Sequence, residues 1–312
     1  MGDGSGSGLR IVADGLRFPE GPVSLPDGGG VLLVEIAAGR LTRVAPDGAK
    51  SVVSTPGGGP NGIALGPGGR VFCCNNGGFH WHEEGGTLRP LGQGRDYSGG
   101  RIEAIDPATG AVERLYDRCG EHPLKGPNDI VFDPRRGFWF SDLGKVRRRD
   151  RDHGGVYWAE ADGSRIVEVA YPIFGGANGI GLSPDGGTLY VAETETGRLW
   201  AWDVEEPGRL RKEPWPSTNG GRVLCQFPGY RRLDSLAVTA AGNVCVATLV
   251  SGEIATVSPR GEILRLVPMP EPMPTNICFG GDGMRTAFVT LSTTGKLAAM
   301  PWDEPGLRLP FG

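Results

Sequence analysis

Residues 178–197 read NGIGLSPDGGTLYVAETETG, and the order within this stretch decides the fold. A polar residue leads into a short apolar run, a Pro-Asp-Gly turn follows, and a β-forming run ends the unit. Pro-Asp-Gly and Asp-Gly steps between apolar runs are hairpin signals. The same order recurs from Glu20 (EGPVSLPDGGGVLLVE), Asn61 (NGIALGPGGRVFCCNN) and Asn128 (NDIVFDPRRGFWFSD), and again from Asp234 (DSLAVTAAGNVCVATL) and Asn276 (NICFGGDGMRTAFVTL). Each copy leads into a glycine and a second strand pair, as in Gly197-RLWAWDVEEPGRL and Gly252-EIATVSPRGEILRLV. Nothing of comparable length carries a helical period.

Each unit is therefore a four-stranded antiparallel meander, and six units over 312 residues average about 52 residues each. Sheets repeated in this way pack radially, which leaves only short protected edges. The expected fold is all-β, a six-bladed β-propeller whose N-terminal strand at Leu9–Ala13 closes the last blade. Residues 9–312 are expected to form a single domain and residues 1–8 a flexible tail. The 54 glycines and 26 prolines would suggest disorder if they lacked a period, but here they punctuate strands.

Composition narrows the class further. Hydrophobic residues make up 38% and charged residues 22%, with a formal net charge of -4. That mild acidity argues against nucleic-acid binding and against a polybasic membrane surface. No apolar run approaches the roughly 20 residues of a membrane span. The start is polar and glycine-rich, unlike a signal peptide. The six cysteines have no framework spacing and read as reduced core thiols, so a cytoplasmic location is expected. A monomer or small homo-oligomer is expected.

The six leading residues occupy equivalent points of their repeats, at the start of the channel-lining strand. Glu20, Asn61, Asn128, Asn178, Asp234 and Asn276 should therefore ring one mouth of the channel. Buried carboxylates without a partner are expensive, and a divalent cation is a fitting partner. All-oxygen ligation suits Ca²⁺, with Mg²⁺ or Mn²⁺ as alternatives. Asparagine or aspartate at such a point can equally bond its own turn. That local role fits Asn61 and Asn276 best, and Glu20 and Asp234 least.

FPEGPV around Glu20, GPND around Asn128, ANGIGLSPDG around Asn178 and LDSLAV around Asp234 resemble the SMP-30/gluconolactonase/luciferin-regenerating-enzyme family. The resemblance runs in order over about residues 10 to 300. It implies a six-bladed propeller, commonly a lactonase, with one catalytic divalent cation in the channel. By resemblance Glu20, Asn178 and Asp234 are direct ligands, Asn128 is a fourth ligand or holds substrate, and Asp234 is the general base. Ca²⁺ is the expected ion, with Mg²⁺, Mn²⁺, Zn²⁺ or Fe²⁺ as alternatives, and a small-molecule lactone is the expected substrate. Sugar-lactonase relatives can carry an arginine two residues before the blade-three asparagine, where this chain has Gly126. An insertion between Asn75 and Gly100 is expected to shape the pocket, and Asn61, Asn76, His80 and Asn128 are candidate substrate contacts.

Other motifs carry less. His80 and His82 lack a third nearby ligand and read as a pocket wall or loop. Cys73 and Cys74 should face opposite sides of one strand. There is no GxSxG, and GPGGR at 66–70 is a hairpin turn without the lysine of a phosphate loop. The basic run from Lys145 to Arg151 reads as a solvated loop. Two other functions share this scaffold: a strictosidine-synthase-like or paraoxonase-like enzyme, and a non-enzymatic ligand-binding propeller.

Overall fold

The computed structural model describes residues 8–312 apart from Arg136, and of Asp27 the backbone alone. The expected tail at 1–8 lies outside the described residues but for Gly8. Four-stranded antiparallel sheets form in sequence order, and the inner strands of consecutive sheets are neighbours around a closed ring. The inner strands are Pro19–Ser24, Pro60–Leu65, Pro127–Phe132, Ala177–Leu182, Arg232–Val238 and Pro274–Gly280. This is a six-bladed β-propeller. Arg10–Ala13 pairs antiparallel with Lys296–Pro301, so the N-terminal strand completes the last blade as expected.

The second strand of each blade explains why hydrophobic runs replaced alternation in the sequence. Val31–Glu35, Val71–Asn75, Gly137–Asp142 and Val244–Leu249 are buried throughout, because both faces are covered by neighbouring blades. Outer strands such as Lys50–Ser54 and Ile263–Pro268 are mostly exposed. The core consists of clusters between successive blades. Trp139 and Trp158 of blade three, for example, pack with Leu189, Trp200 and Trp202 of blade four. Cys73 packs toward blade one and Cys74 toward blade three, so the two thiols do face opposite sides. All six cysteines are unpaired. Among the described residues no helix is long and apolar enough to cross a membrane.

A bulge recurs in every inner strand. The pairing register slips by one residue between Glu20 and Val23, Pro60 and Ile63, Pro127 and Ile130, Ala177 and Ile180, Leu233 and Leu236, and Pro274 and Asn276. A bulge re-aims a side chain out of the regular alternation. Here it falls on, or directly beside, each of the six leading residues.

Candidate metal and substrate site

The small residues that follow these leading positions let the inner strands approach closely. A Cβ on Gly62 would lie 2.5 Å from the Asn128 carbonyl oxygen, and one on Gly179 would lie 2.6 Å from the Leu236 nitrogen. The ring is therefore tight enough for side chains from different blades to meet at one mouth. Glu20, Asn61, Asn128, Asn178 and Asn276 are buried, while Asp234 keeps part of its surface.

The two carboxylates interact. Burial raises the pKa of Asp234 well above the usual range, and the charge of Glu20 raises it further, while the Asn178 amide opposes the rise. Glu20 is raised by burial too, although hydrogen bonds favour its charged form. Its Oε2 accepts from the Gly21 amide at 2.8 Å and from Asn276 Nδ2 at 2.8 Å. Asn276 also keeps the local role foreseen for it, since its Oδ1 accepts from the Ile277 amide. Asn178 donates from Nδ2 to Thr194 Oγ1 at 3.0 Å, and its Oδ1 is buried without a partner.

Two like charges and an orphaned acceptor oxygen describe a place short of positive charge. An orphaned buried oxygen is uncommon, because buried polar atoms are normally satisfied. Among the described residues no three His, Cys, Asp or Glu side chains converge as in a zinc or iron centre. The donors are carboxylate and amide oxygens, so the residues fit a hard cation. Asn61 and Asn128 have no side-chain hydrogen bond among the described residues, and their amide atoms are not sealed from solvent. They face the mouth with free donors and acceptors.

One residue of this site escaped the sequence. Asp129 follows Asn128 where four other blades place Gly21, Gly62, Gly179 or Ser235 and the last places Ile277, so a carboxylate at this point was its only signal. Its carboxyl is pushed up to about 7, by burial first and by Glu20 second. It sits at the inner end of a cavity of about 710 Å³ that opens toward the opposite mouth. Ile63, Leu65, Phe132, Ile180, Leu182 and Leu236 line that cavity, and the C-terminal segment crosses it, with Phe311 edge-on to Phe132 at 5.2 Å. This cavity is thus mainly lined by aliphatic side chains, and neither Glu20 nor Asp234 is among its lining residues, although Gly21 and Asn276 are.

The insertion forms a hairpin, Phe79–Glu84 with Thr87–Gln93. It follows the second strand of blade two, which ends on the face where the inner strands begin. Trp81 packs on Phe18 of blade one with ring centroids 5.0 Å apart, and Arg17 pairs with Glu83. The Leu88 amide donates to the Thr293 carbonyl of blade six, and the Gln93 amide to Val146 of blade three, both at 2.9 Å. The hairpin thus straps one side of the mouth from blade six to blade three.

Lys145 corrects an expectation. The run that reads as a solvated loop is exposed only in part: Lys145 is 1% exposed. Its Nζ donates to Asn76 Oδ1 at 2.9 Å and to the Gly78 carbonyl at 3.0 Å, and lies 3.9 Å from the Phe79 ring centroid. Burial lowers its pKa to about 7, against the pull of Asp142 and Asp152. Asn76 is buried, with Oδ1 accepting from Lys145 and the Gly78 amide and Nδ2 without a partner among the described residues. His80 is exposed on the hairpin. At Gly126 a Cβ would lie 2.6 Å from the Gly144 carbonyl oxygen, so the backbone of blade three leaves no room for an arginine.

Comparisons with known proteins agree with this fold. A 6-deoxy-6-sulfogluconolactonase from Pseudomonas putida is 27% identical over 278 residues, 87% of this chain and 82% of that protein. The solved gluconolactonase of Xanthomonas campestris superposes with a TM-score of 0.73 at 22% identity, covering 95% of this chain and 89% of that one. Regucalcin from Agrobacterium tumefaciens, a calcium-binding protein, has a TM-score of 0.71 at 18% identity over 96% and 97% of the two chains. The family description SMP-30/Gluconolactonase/LRE-like region matches residues 18–293. With a propeller, a carboxylate and amide mouth and a match over most of its length, the chain belongs to the SMP-30/gluconolactonase/LRE-like family.

Proposed function

We propose that this protein hydrolyses a lactone to its hydroxy acid at the mouth that holds Glu20, Asn178 and Asp234. The single observation that carries this reading is the pair of buried, mutually repelling carboxylates beside an orphaned amide oxygen, which a binding platform would not need. The sulfogluconolactonase relative supports the reaction class. Glu20, Asn178 and Asp234 would hold one divalent cation, with Asn128 beside them. Ca²⁺ is favoured because every donor is a hard oxygen. Bound there, the cation supplies Lewis-acid polarisation of the lactone carbonyl.

The chain's own residues supply the rest. Asp234 is the carboxylate that keeps surface at the mouth, so it takes the proton from the attacking water at its free oxygen. Asn61 and Asn128, with uncommitted amides, orient the ring oxygens of the substrate. Glu20 is held by Asn276 and the Gly21 amide, whose hydrogen bonds favour its charged form against the effect of burial. The hairpin walls one side of the entrance. Six unpaired thiols fit a reducing compartment.

The test is acid release from a panel of sugar and aliphatic lactones, followed with a pH indicator, with and without EDTA. Turnover that EDTA abolishes and calcium restores is expected, with at least a hundredfold loss in Asp234→Asn. Full turnover in that variant would remove Asp234 from its role. A metal-loaded protein that opens no lactone would move the assignment to another reaction on this scaffold.

A further inference from the structure

A second cavity, of about 260 Å³, lies beside the hairpin. It is lined by Ile36 and Ala37, by Gly58 and Gly78, and by Phe79, His80, Trp81, Arg95 and Asp96. The Ile36–Ala38 turn follows the second strand of blade one, as the insertion follows that of blade two. Both therefore lie on the face where Glu20 and Asp234 start their strands. Gly58 stands three residues before Asn61, so the cleft adjoins the ring.

Its walls are fixed. Phe79 is held by the Lys145 ammonium, Trp81 by Phe18, and the two rings meet edge-on at 5.9 Å. A Cβ on Gly58 would lie 2.7 Å from Asn75 Oδ1, so the floor admits no larger residue. The charges are unequal in their commitments. Neighbouring arginines are spoken for: Arg17 by Glu83, Arg101 by Glu103 and Arg147 by Asp152. Arg95 has no ion pair or hydrogen bond among the described residues. Asp96 is likewise exposed and without an ion pair among the described residues, and its Oδ1 lies by Gly94 of its own loop, 2.9 Å from where a Cβ there would stand.

We infer that this cleft receives an anionic substituent of the substrate, a carboxylate, sulfonate or phosphate carried outside the lactone ring, and that Arg95 recognises it. This rests on the lactonase reading above and names its substrate class. A guanidinium matches such groups with two parallel hydrogen bonds, and a free one beside rigid aromatic walls needs little reordering to do so. His80 sits in the same cleft as a second polar contact. Arg95 stands in the loop directly after the hairpin, two residues beyond the end of its second strand.

The test compares D-glucono-1,4-lactone with D-glucaro-1,4-lactone, which share a ring and differ in a terminal hydroxymethyl or carboxylate. The wild type is expected to show the lower KM for the glucarolactone. In Arg95→Ala that KM should rise about tenfold with kcat within about twofold, and the gluconolactone should be unaffected. Arg95→Lys should recover part of the loss. Equal changes on both lactones, or none on either, would overturn the assignment. Calorimetric binding of glucarate keeps the question separate from turnover. If neither lactone is opened, the lactonase reading falls, while tenfold weaker glucarate binding in Arg95→Ala still supports the cleft and equal binding refutes it.

Discussion

Asn276 of the last blade donates its side-chain amide to the Glu20 carboxylate of the first, 2.8 Å across the seam where the ring closes. The bond satisfies half of a buried carboxylate that faces a second one. Losing it leaves a charged acceptor short of a donor, which costs about 1–3 kcal/mol. Asn276→Ala is expected to bind calcium roughly tenfold to a hundredfold more weakly by calorimetry. An unchanged affinity would mean that Glu20 does not act on the ion.

Glu20 and Asp234 repel each other in the buried ring, so a cation held between them, as proposed, should relieve that cost. Calcium at about a hundred times its Kd should stabilise the fold by about 2.7 kcal/mol, a rise in Tm of roughly 5 °C. The double variant Glu20→Gln, Asp234→Asn should lose this response. It should also melt above the wild type in EDTA, since neutral isosteres remove the repulsion. Differential scanning calorimetry with and without calcium decides both points.

Lys145 predicts a pH dependence. Its folded pKa is about 7, below the 10.5 of an unfolded lysine. Between those values the unfolded chain holds the proton that the folded chain has released, so stability rises with pH through that window. Below about pH 7 both states hold the proton and the penalty of the buried charge is complete. The difference in stability between wild type and Lys145→Met should therefore shift in favour of the wild type from pH 7 to 10. A difference that stays flat across urea melts at these pH values would show that Lys145 does not titrate in this window.

At Gly126 the neighbouring backbone forbids a side chain. Gly126→Arg forces a Cβ against the Gly144 carbonyl oxygen and should destabilise the fold by about 1–3 kcal/mol. The urea midpoint should fall with an unchanged slope. A variant as stable as the wild type would show that the 143–146 loop yields easily.

The repeat made the blades, the closing strand and the ring residues legible, because six copies of one pattern align without any knowledge of contacts. Asn276 illustrates the limit. Its turn context was readable, whereas its bond to Glu20, 256 positions away, depends on ring closure. Lys145 was hidden for a related reason. Its neighbours Arg147, Arg148 and Arg149 have exposed or half-exposed side chains, and a run of basic residues does not reveal which member turns inward. Its partners, Asn76 and Gly78, come from another blade. Asp129 was marked only as a carboxylate at this point of the ring.

The seam between first and last blades has a consequence for how the molecule matures. Glu20 is made 256 residues before the amide that steadies it, and before the strand that Arg10–Ala13 joins. A nascent chain that has not reached residue 276 offers calcium a carboxylate without its support. Ion capture should therefore report a ring whose sixth blade is in place, and calcium should act on its closure more than on the formation of any single sheet.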